Sequence, residues 1–401
     1  MKYIVILCDG MADEPLEELG GRTPLEAART ENMDRLAKSS EIGMVQTVPD
    51  GMAPGSDTAN LSVIGYDPRK YYTGRSPLEA LSIGAPMEPS DVSFRCNLVT
   101  LSEEEENYED RHILDHSSDE ISTEEAAELI RALSEGLKRD GYTFYVGTSY
   151  RHLLIQKNGT VVELTAPHDI LTKRIGEYLP EDEVLREMMI KSYDILKDHP
   201  INVKRRAEGK NPANSAWFWG AGTRPMLTSF EEKNGVKGAM ISAVDLLKGI
   251  AAGAGMHNII VEGANGGLNT NYSGKAEAAV KALTEDGFDF VYVHIEAPDE
   301  MGHQGSVERK IQAIENIDEK IIGPVNRALD AEGTAYRMLI LPDHPTPIRV
   351  RTHTSDPVPY LLYDSTKAMD GMDTYSEKTG RETGIFEKEG YHLIDHLLSA
   401  K

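Results

Sequence analysis

Short, unbroken apolar runs along the chain are separated by longer stretches in which apolar positions recur every three or four residues. The first run, residues 3–8 (YIVILC), has no polar interruption and stops at Asp9-Gly10. A run of that kind predicts a strand covered on both faces, with a polar group at its C-terminal end. Similar runs return late, at residues 258–262, 288–295 and 336–341, interleaved with helix-like stretches such as 242–252 and 275–283. This alternation predicts an α/β fold, a mostly parallel sheet flanked by helices. In such sheets ligands sit beyond the carboxyl ends of the strands.

The texture changes in the middle of the chain. Strand-like segments at 142–146, 152–155 and 160–164 mix with helical ones at 123–137 and 181–197, which predicts an inserted, smaller α+β domain. The expected organisation is a discontinuous first domain, 1–90 and 225–401, with the insertion at 91–224. Glu103 to Glu106 reads as a solvated loop. Trp217 and Trp219 alternate on one strand and read as packing residues.

Composition narrows the partners. With 66 acidic against 42 basic residues, the net charge of −24 excludes a nucleic-acid binder by bulk charge. No apolar run approaches the roughly 20 residues that a membrane helix needs. Two cysteines, Cys8 and Cys96, make neither a disulfide framework nor a thiolate metal site, so a cytoplasmic protein is expected, as a monomer or a small homo-oligomer.

The candidate chemistry lies at strand ends. Asp299 and His303 follow the 288–295 run, Asp343-His344 follow the 336–341 run, His353 lies shortly beyond, and Asp9 ends the first run. Carboxylate and imidazole suit Mg, Mn or Zn. Singly, such an Asp caps a helix and such a His is solvated; clusters at successive strand ends argue for a shared ion. Residues 53–60 (APGSDTAN) put Ser56 after a Pro-Gly turn at a helix start, where it serves as an N-cap or faces a bound anion. Beside a metal ion its hydroxyl becomes a nucleophile.

Asp9, Ser56 in PGSDTAN, Asp299 and His303 in APDEMGH, Asp343-His344 in PDHPTP, and His353 together resemble the alkaline phosphatase superfamily and, within it, the archaeal-type cofactor-independent phosphoglycerate mutases. The resemblance runs over essentially the whole chain. It implies an alkaline-phosphatase-like sheet and two divalent ions, manganese first, with Mg, Co or Zn also suited. Asp9, Ser56, Asp343 and His344 would hold one ion, and Asp299, His303 and His353 the other. The implied reaction interconverts 3-phosphoglycerate and 2-phosphoglycerate through phosphorylated Ser56, without bisphosphoglycerate. The insertion would be the lid over a small anionic phosphorylated substrate, held by Asp115, Arg151, His168, Asp169 and Arg224, with Asn60 and Lys275 from the first domain. Arginine's planar fork suits carboxylate and phosphate.

Residues 71–84 resemble a bacterial branch proposed to phosphorylate homoserine, so the alternative is a homoserine kinase, or a phosphatase on another small substrate, using the same site. The chain has neither a G-x-G-x-x-G fingerprint after a strand nor a GxxxxGK phosphate loop, which weighs against a nucleotide.

Overall fold

The computed structural model describes residues 1–399. Its strands are, along the chain, β1 (Lys2–Cys8), β2 (Glu41–Val45), β3 (Val92–Leu101), β4 (Ile113–Asp115), β5 (Tyr142–Thr148), β6 (Arg151–Gln156), β7 (Ser215–Thr223), β8 (Gly238–Ile241), β9 (His257–Ile259), β10 (Phe290–Ile295), β11 (Tyr336–Leu341), β12 (Val358–Asp364) and β13 (Phe386–Glu387). The chain forms two compact units, one of residues 1–72 and 227–399, the other of 73–226.

The first unit is built on an eight-stranded sheet in the order β13-β2-β12-β11-β1-β10-β8-β9. The centre, β11-β1-β10-β8, is parallel, and only β12 runs against its neighbours. Every residue of β10 and β11 is buried, as expected of strands covered on both faces. The apolar faces of helices Tyr272–Thr284 and Val307–Ile317 join the core through Ala276, Ala279, Leu283, Ala313, Ile314 and Ile317. Among the described residues no helix is long and apolar enough to cross a membrane.

The second unit is an antiparallel sheet in which β3 lies between β6 and β7, with β5 beside β6 and β4 at the far end of β3. Helices Thr123–Gly136 and Glu183–Leu196 bury Leu129, Leu133, Leu185 and Met189 against it. Two expectations change here. Residues 73–90 belong to this unit rather than to the first, because helix Arg75–Ser82 packs on β3 and β7 and Ser76 Oγ donates to the Ser93 carbonyl at 2.9 Å. Residues 160–164 form no strand: Val161 is exposed and only Val162 and Leu164 turn into the core. Their β-rich composition finds no ladder to join.

An ion pair lies inside the first unit. Lys310 Nζ meets Asp13 Oδ2 at 2.8 Å with both side chains fully buried, and it also donates to the carbonyls of Ala12 and Thr346. It thus ties the loop after β1 to the loop after β11. Glu377, likewise buried, accepts from the Asp13 amide and the Thr23 hydroxyl. Removing the cation would leave two uncompensated buried carboxylates. Lys310→Met should therefore cost about 3–5 kcal/mol, read as a lower midpoint in urea unfolding; an unchanged midpoint would show the pair to be dispensable.

Candidate active site

Three adjacent parallel strands, β11, β1 and β10, end side by side, and each hands its chain to a ligand-type residue: Asp343-His344, Asp9 and Asp299. Strand neighbours lie only about 4.8 Å apart, so residues distant in sequence converge. Asp9, Asp299 and Asp343 are all buried. Gly10 makes the turn out of β1 possible. Its φ is +62°, and a Cβ there would lie 2.6 Å from Thr346 Oγ1 and 2.7 Å from the Asp299 backbone.

Ser56 is the first helical residue of Ser56–Ile64, with Gly55 before it as the cap, so it is not the N-cap. Its hydroxyl stands 3.1 Å from His344 Nε2 and 3.5 Å from Asp9 Oδ2. Around it the ligand-type atoms form two groups. Asp9, Asp343 and His344 have one atom each within 4.8 Å of one another, and so do Asp299, His344 and His353. His303 flanks the second group, its Nε2 lying 3.1 Å from His353 Nε2 and 3.2 Å from Asp299 Oδ2. His303 Nδ1 faces the Arg351 carbonyl at 3.0 Å, which leaves Nε2 for the site. His344 stands between the groups, where the family resemblance assigned it to the Ser56 side alone.

The electrostatics call for a cation. Burial first, then the charges of Asp343, Asp299 and Glu296, push the Asp9 carboxyl well above its usual range. Burial raises Asp299 too, but hydrogen bonds from His303 and His353 overcome it and hold the carboxyl well below its usual range. The hydrogen bond to Asp299 in turn lifts His303 to about 9. Burial pushes His344 down. Most tellingly, Asp9 Oδ1 is buried and accepts no hydrogen bond among the described residues. A buried carboxylate oxygen without a donor is costly, and a divalent ion between these groups would remove that cost. The donor set of carboxylate and imidazole fits such an ion.

Several supporting residues were not singled out from sequence. Tyr292 and His294, alternate residues of β10, both reach the site: His294 Nε2 lies 2.8 Å from Asp9 Oδ2, and Tyr292 donates to Asn60 Oδ1 at 2.6 Å. Thr346 donates to Asp299 Oδ1. A histidine inside an otherwise apolar, fully buried strand was the available signal for His294.

Three expected substrate groups prove to be occupied internally. Asn60 is fully buried, and its Nδ2 gives its two hydrogens to the Ser56 carbonyl and to Asp343 Oδ2, each at 2.8 Å, so it holds Asp343 rather than facing a ligand. Asp115 accepts from the Ser117 amide and hydroxyl on one oxygen and from the Asp119 amide and Asn211 on the other, which makes it the anchor of a turn. Lys275 is buried and donates to the His294 carbonyl at 2.8 Å; burial pushes its amine down to about 8, against the pull of Glu296.

In the second unit Arg151, His168, Asp169 and Arg224 are exposed. Arg224 Nη1 donates to the Met87 carbonyl at 3.0 Å, and the Arg151 guanidinium lies 5.3 Å from the Tyr150 ring centre. His168 sits edge-on to Trp219 with ring centres 5.1 Å apart. Over the same indole, at 4.1 Å, lies the guanidinium of Arg95, a buried charge in β3 that pairs with Glu79. Trp217 is core, and Trp219, partly buried, packs against the same core while its indole also takes the Arg95 guanidinium.

Comparison with known proteins places the chain among close relatives. A family model described as 2,3-bisphosphoglycerate-independent phosphoglycerate mutase matches residues 37–202. A probable 2,3-bisphosphoglycerate-independent phosphoglycerate mutase of Geobacter sulfurreducens is 48% identical over 99% of this chain and 100% of its own length. A protein of Methanosarcina barkeri carrying that name without the qualifier is 47% identical, with both chains covered fully. Among solved structures, a protein of Pyrococcus horikoshii superposes with a TM-score of 0.83 at 32% identity, covering 100% of this chain and 98% of that one. The cofactor-independent phosphoglycerate mutase of Thermoplasma acidophilum gives 0.65 at 29% identity, with 99% of each chain covered.

Proposed function

Since the chain belongs to the family of 2,3-bisphosphoglycerate-independent phosphoglycerate mutases, we propose that it interconverts 3-phosphoglycerate and 2-phosphoglycerate through a phosphorylated Ser56. The observation that carries this reading is the place of the Ser56 hydroxyl, at the start of a helix and within 3.5 Å of both Asp9 and His344. In the first half-reaction Ser56 Oγ bonds to phosphorus as the bond from phosphorus to substrate O3 breaks. Ser56 loses its proton and O3 gains one. In the second, O2 of the same glycerate attacks the phosphoserine, the bond from phosphorus to Oγ breaks, and the proton balance reverses. Phosphate is conserved and no nucleotide is consumed.

Asp9, Ser56, Asp343 and His344 would hold one divalent ion and Asp299, His303 and His353 a second, with His344 bordering both. When bound, such ions, manganese first among them, neutralise phosphoryl oxygens and favour the serine oxyanion. Asn60 and Tyr292 keep the Asp343 carboxylate aimed into the site, and Thr346 does the same for Asp299. The amide groups at the start of helix Ser56–Ile64 favour the added negative charge of a phosphoserine. Recognition of the glycerate is assigned to Arg151, Arg224 and His168, all exposed in the second unit; the planar fork of a guanidinium matches its carboxylate.

The deciding experiment is a coupled assay of manganese-loaded protein converting 3-phosphoglycerate to 2-phosphoglycerate, with neither bisphosphoglycerate nor nucleotide added. Parallel samples measure phosphate release and ATP-dependent phosphorylation of homoserine. Turnover in the first assay alone is expected. Phosphate release or homoserine phosphorylation without 2-phosphoglycerate would move the function to a phosphatase or a kinase.

A further inference from the structure

The strand behind the site holds a histidine that none of the proposed steps uses. His294 is fully buried in β10, and its two ring nitrogens face different partners. Nδ1 lies 3.2 Å from Ser242 Oγ, just past the end of the neighbouring β8. Ser242 Oγ already accepts the Val244 amide at 3.0 Å, so its own proton is free to go to Nδ1. The imidazole hydrogen then sits on Nε2, which donates to Asp9 Oδ2 at 2.8 Å. The other tautomer would set a bare nitrogen lone pair against a carboxylate at that distance. It would also leave the Ser242 proton without this acceptor.

This chain of donors runs in one direction, from the Val244 amide through Ser242 and His294 to Asp9. It occupies Asp9 Oδ2, which the Ser56 hydroxyl also faces at 3.5 Å, and leaves Oδ1, which has no hydrogen-bond partner among the described residues and lies 3.5 Å from His344 Nε2. We propose that His294, oriented by Ser242, is a positioning residue that locks the Asp9 carboxylate so that Oδ1 is presented to a divalent cation. The proposal rests on the reading of Asp9 as a cation ligand. Outer partners of this kind set both the direction and the basicity of metal ligands, and their loss typically weakens metal binding 10- to 100-fold.

The test is Mn²⁺ binding to the 401-residue chain, followed by the electron paramagnetic resonance signal of free Mn²⁺, for wild type, His294→Leu, His294→Gln and Ser242→Ala, each checked by circular dichroism. Wild type is expected to take up two ions. His294→Leu should weaken one of them about 10- to 100-fold and spare the other. His294→Gln, whose amide nitrogen can occupy the place of Nε2, should restore binding to within a few-fold of wild type. Ser242→Ala, which leaves the ring in place but frees its tautomer, should weaken the same ion several-fold, and it decides the matter if the leucine variant does not fold. Unchanged binding in both His294→Leu and Ser242→Ala would overturn the proposal. So would equal losses in the glutamine and leucine variants, because the ring would then only fill space. A wild type that takes up no Mn²⁺ would instead refute the metal reading beneath it.

Discussion

Ser56→Ala is expected to fold, to bind divalent ions within about tenfold of wild type, and to lose on the order of 10⁴-fold or more in kcat. The stability half of this expectation follows from the local structure. Ser56 is the first residue of its helix and makes no capping bond, so alanine removes no cap and should change stability by no more than about 0.5 kcal/mol. The binding half follows from the ligand groups, since Asp9, Asp343 and His344 remain when one hydroxyl is removed. The loss of rate follows from the chemistry. Without Oγ there is no acceptor for the phosphoryl group within the chain, and the two half-reactions cannot be joined. Acid-quenched reactions with substrate labelled in its phosphate should show label on wild-type protein and none on the variant. A variant that still converts 3-phosphoglycerate at a comparable rate would refute the phosphoserine route.

How far the sequence could be read depended on where the determining contacts lie. The three runs ending at Cys8, Ile295 and Leu341 were legible because a doubly covered strand needs a predominantly apolar stretch, and a ligand-type residue follows each of them closely. Their adjacency in the sheet brings Asp9, Asp299 and Asp343 together, so reading the strands amounted to reading the ligand cluster. Roles set by long-range hydrogen bonds were not legible. Asn60, one helical turn beyond Ser56, looked available to a phosphate, yet its amide is committed to Asp343, 283 positions away. Asp115 looked like a free acid, while its lone pairs are filled from the turn it closes and from Asn211. Arg95 and His294 were hidden differently. Both lie within strand runs whose apolar neighbours dominate the pattern, and only burial marks a polar group there as needing a partner. Residues 160–164 erred the other way, because β propensity describes fitness for a ladder and says nothing of whether an edge is available.

Metal removal should have the second large effect, on activity and on stability together. The centre of the first unit collects Asp9, Asp343, Asp299 and Glu296, and burial with mutual repulsion already drives the Asp9 carboxyl far up. With its ions stripped by a chelator, the protein must keep these charges apart by protonation or by local movement. Turnover should fall to background and return on adding Mn²⁺. Stability should fall because an ion that binds only the folded chain adds about 2.7 kcal/mol per site at a hundredfold excess over Kd. Two such sites add about 5 kcal/mol, which in a chain this long should lower the melting temperature by about six degrees. The contrast with Ser56→Ala separates the two roles of the site: the serine variant should be inactive but respond to Mn²⁺ with the same rise in melting temperature, whereas the stripped wild type should be both inactive and less stable. A chelated protein that melts where the loaded one does, and still turns over, would mean that the buried Asp9 Oδ1 finds its partner elsewhere and that these carboxylates and imidazoles hold no ion.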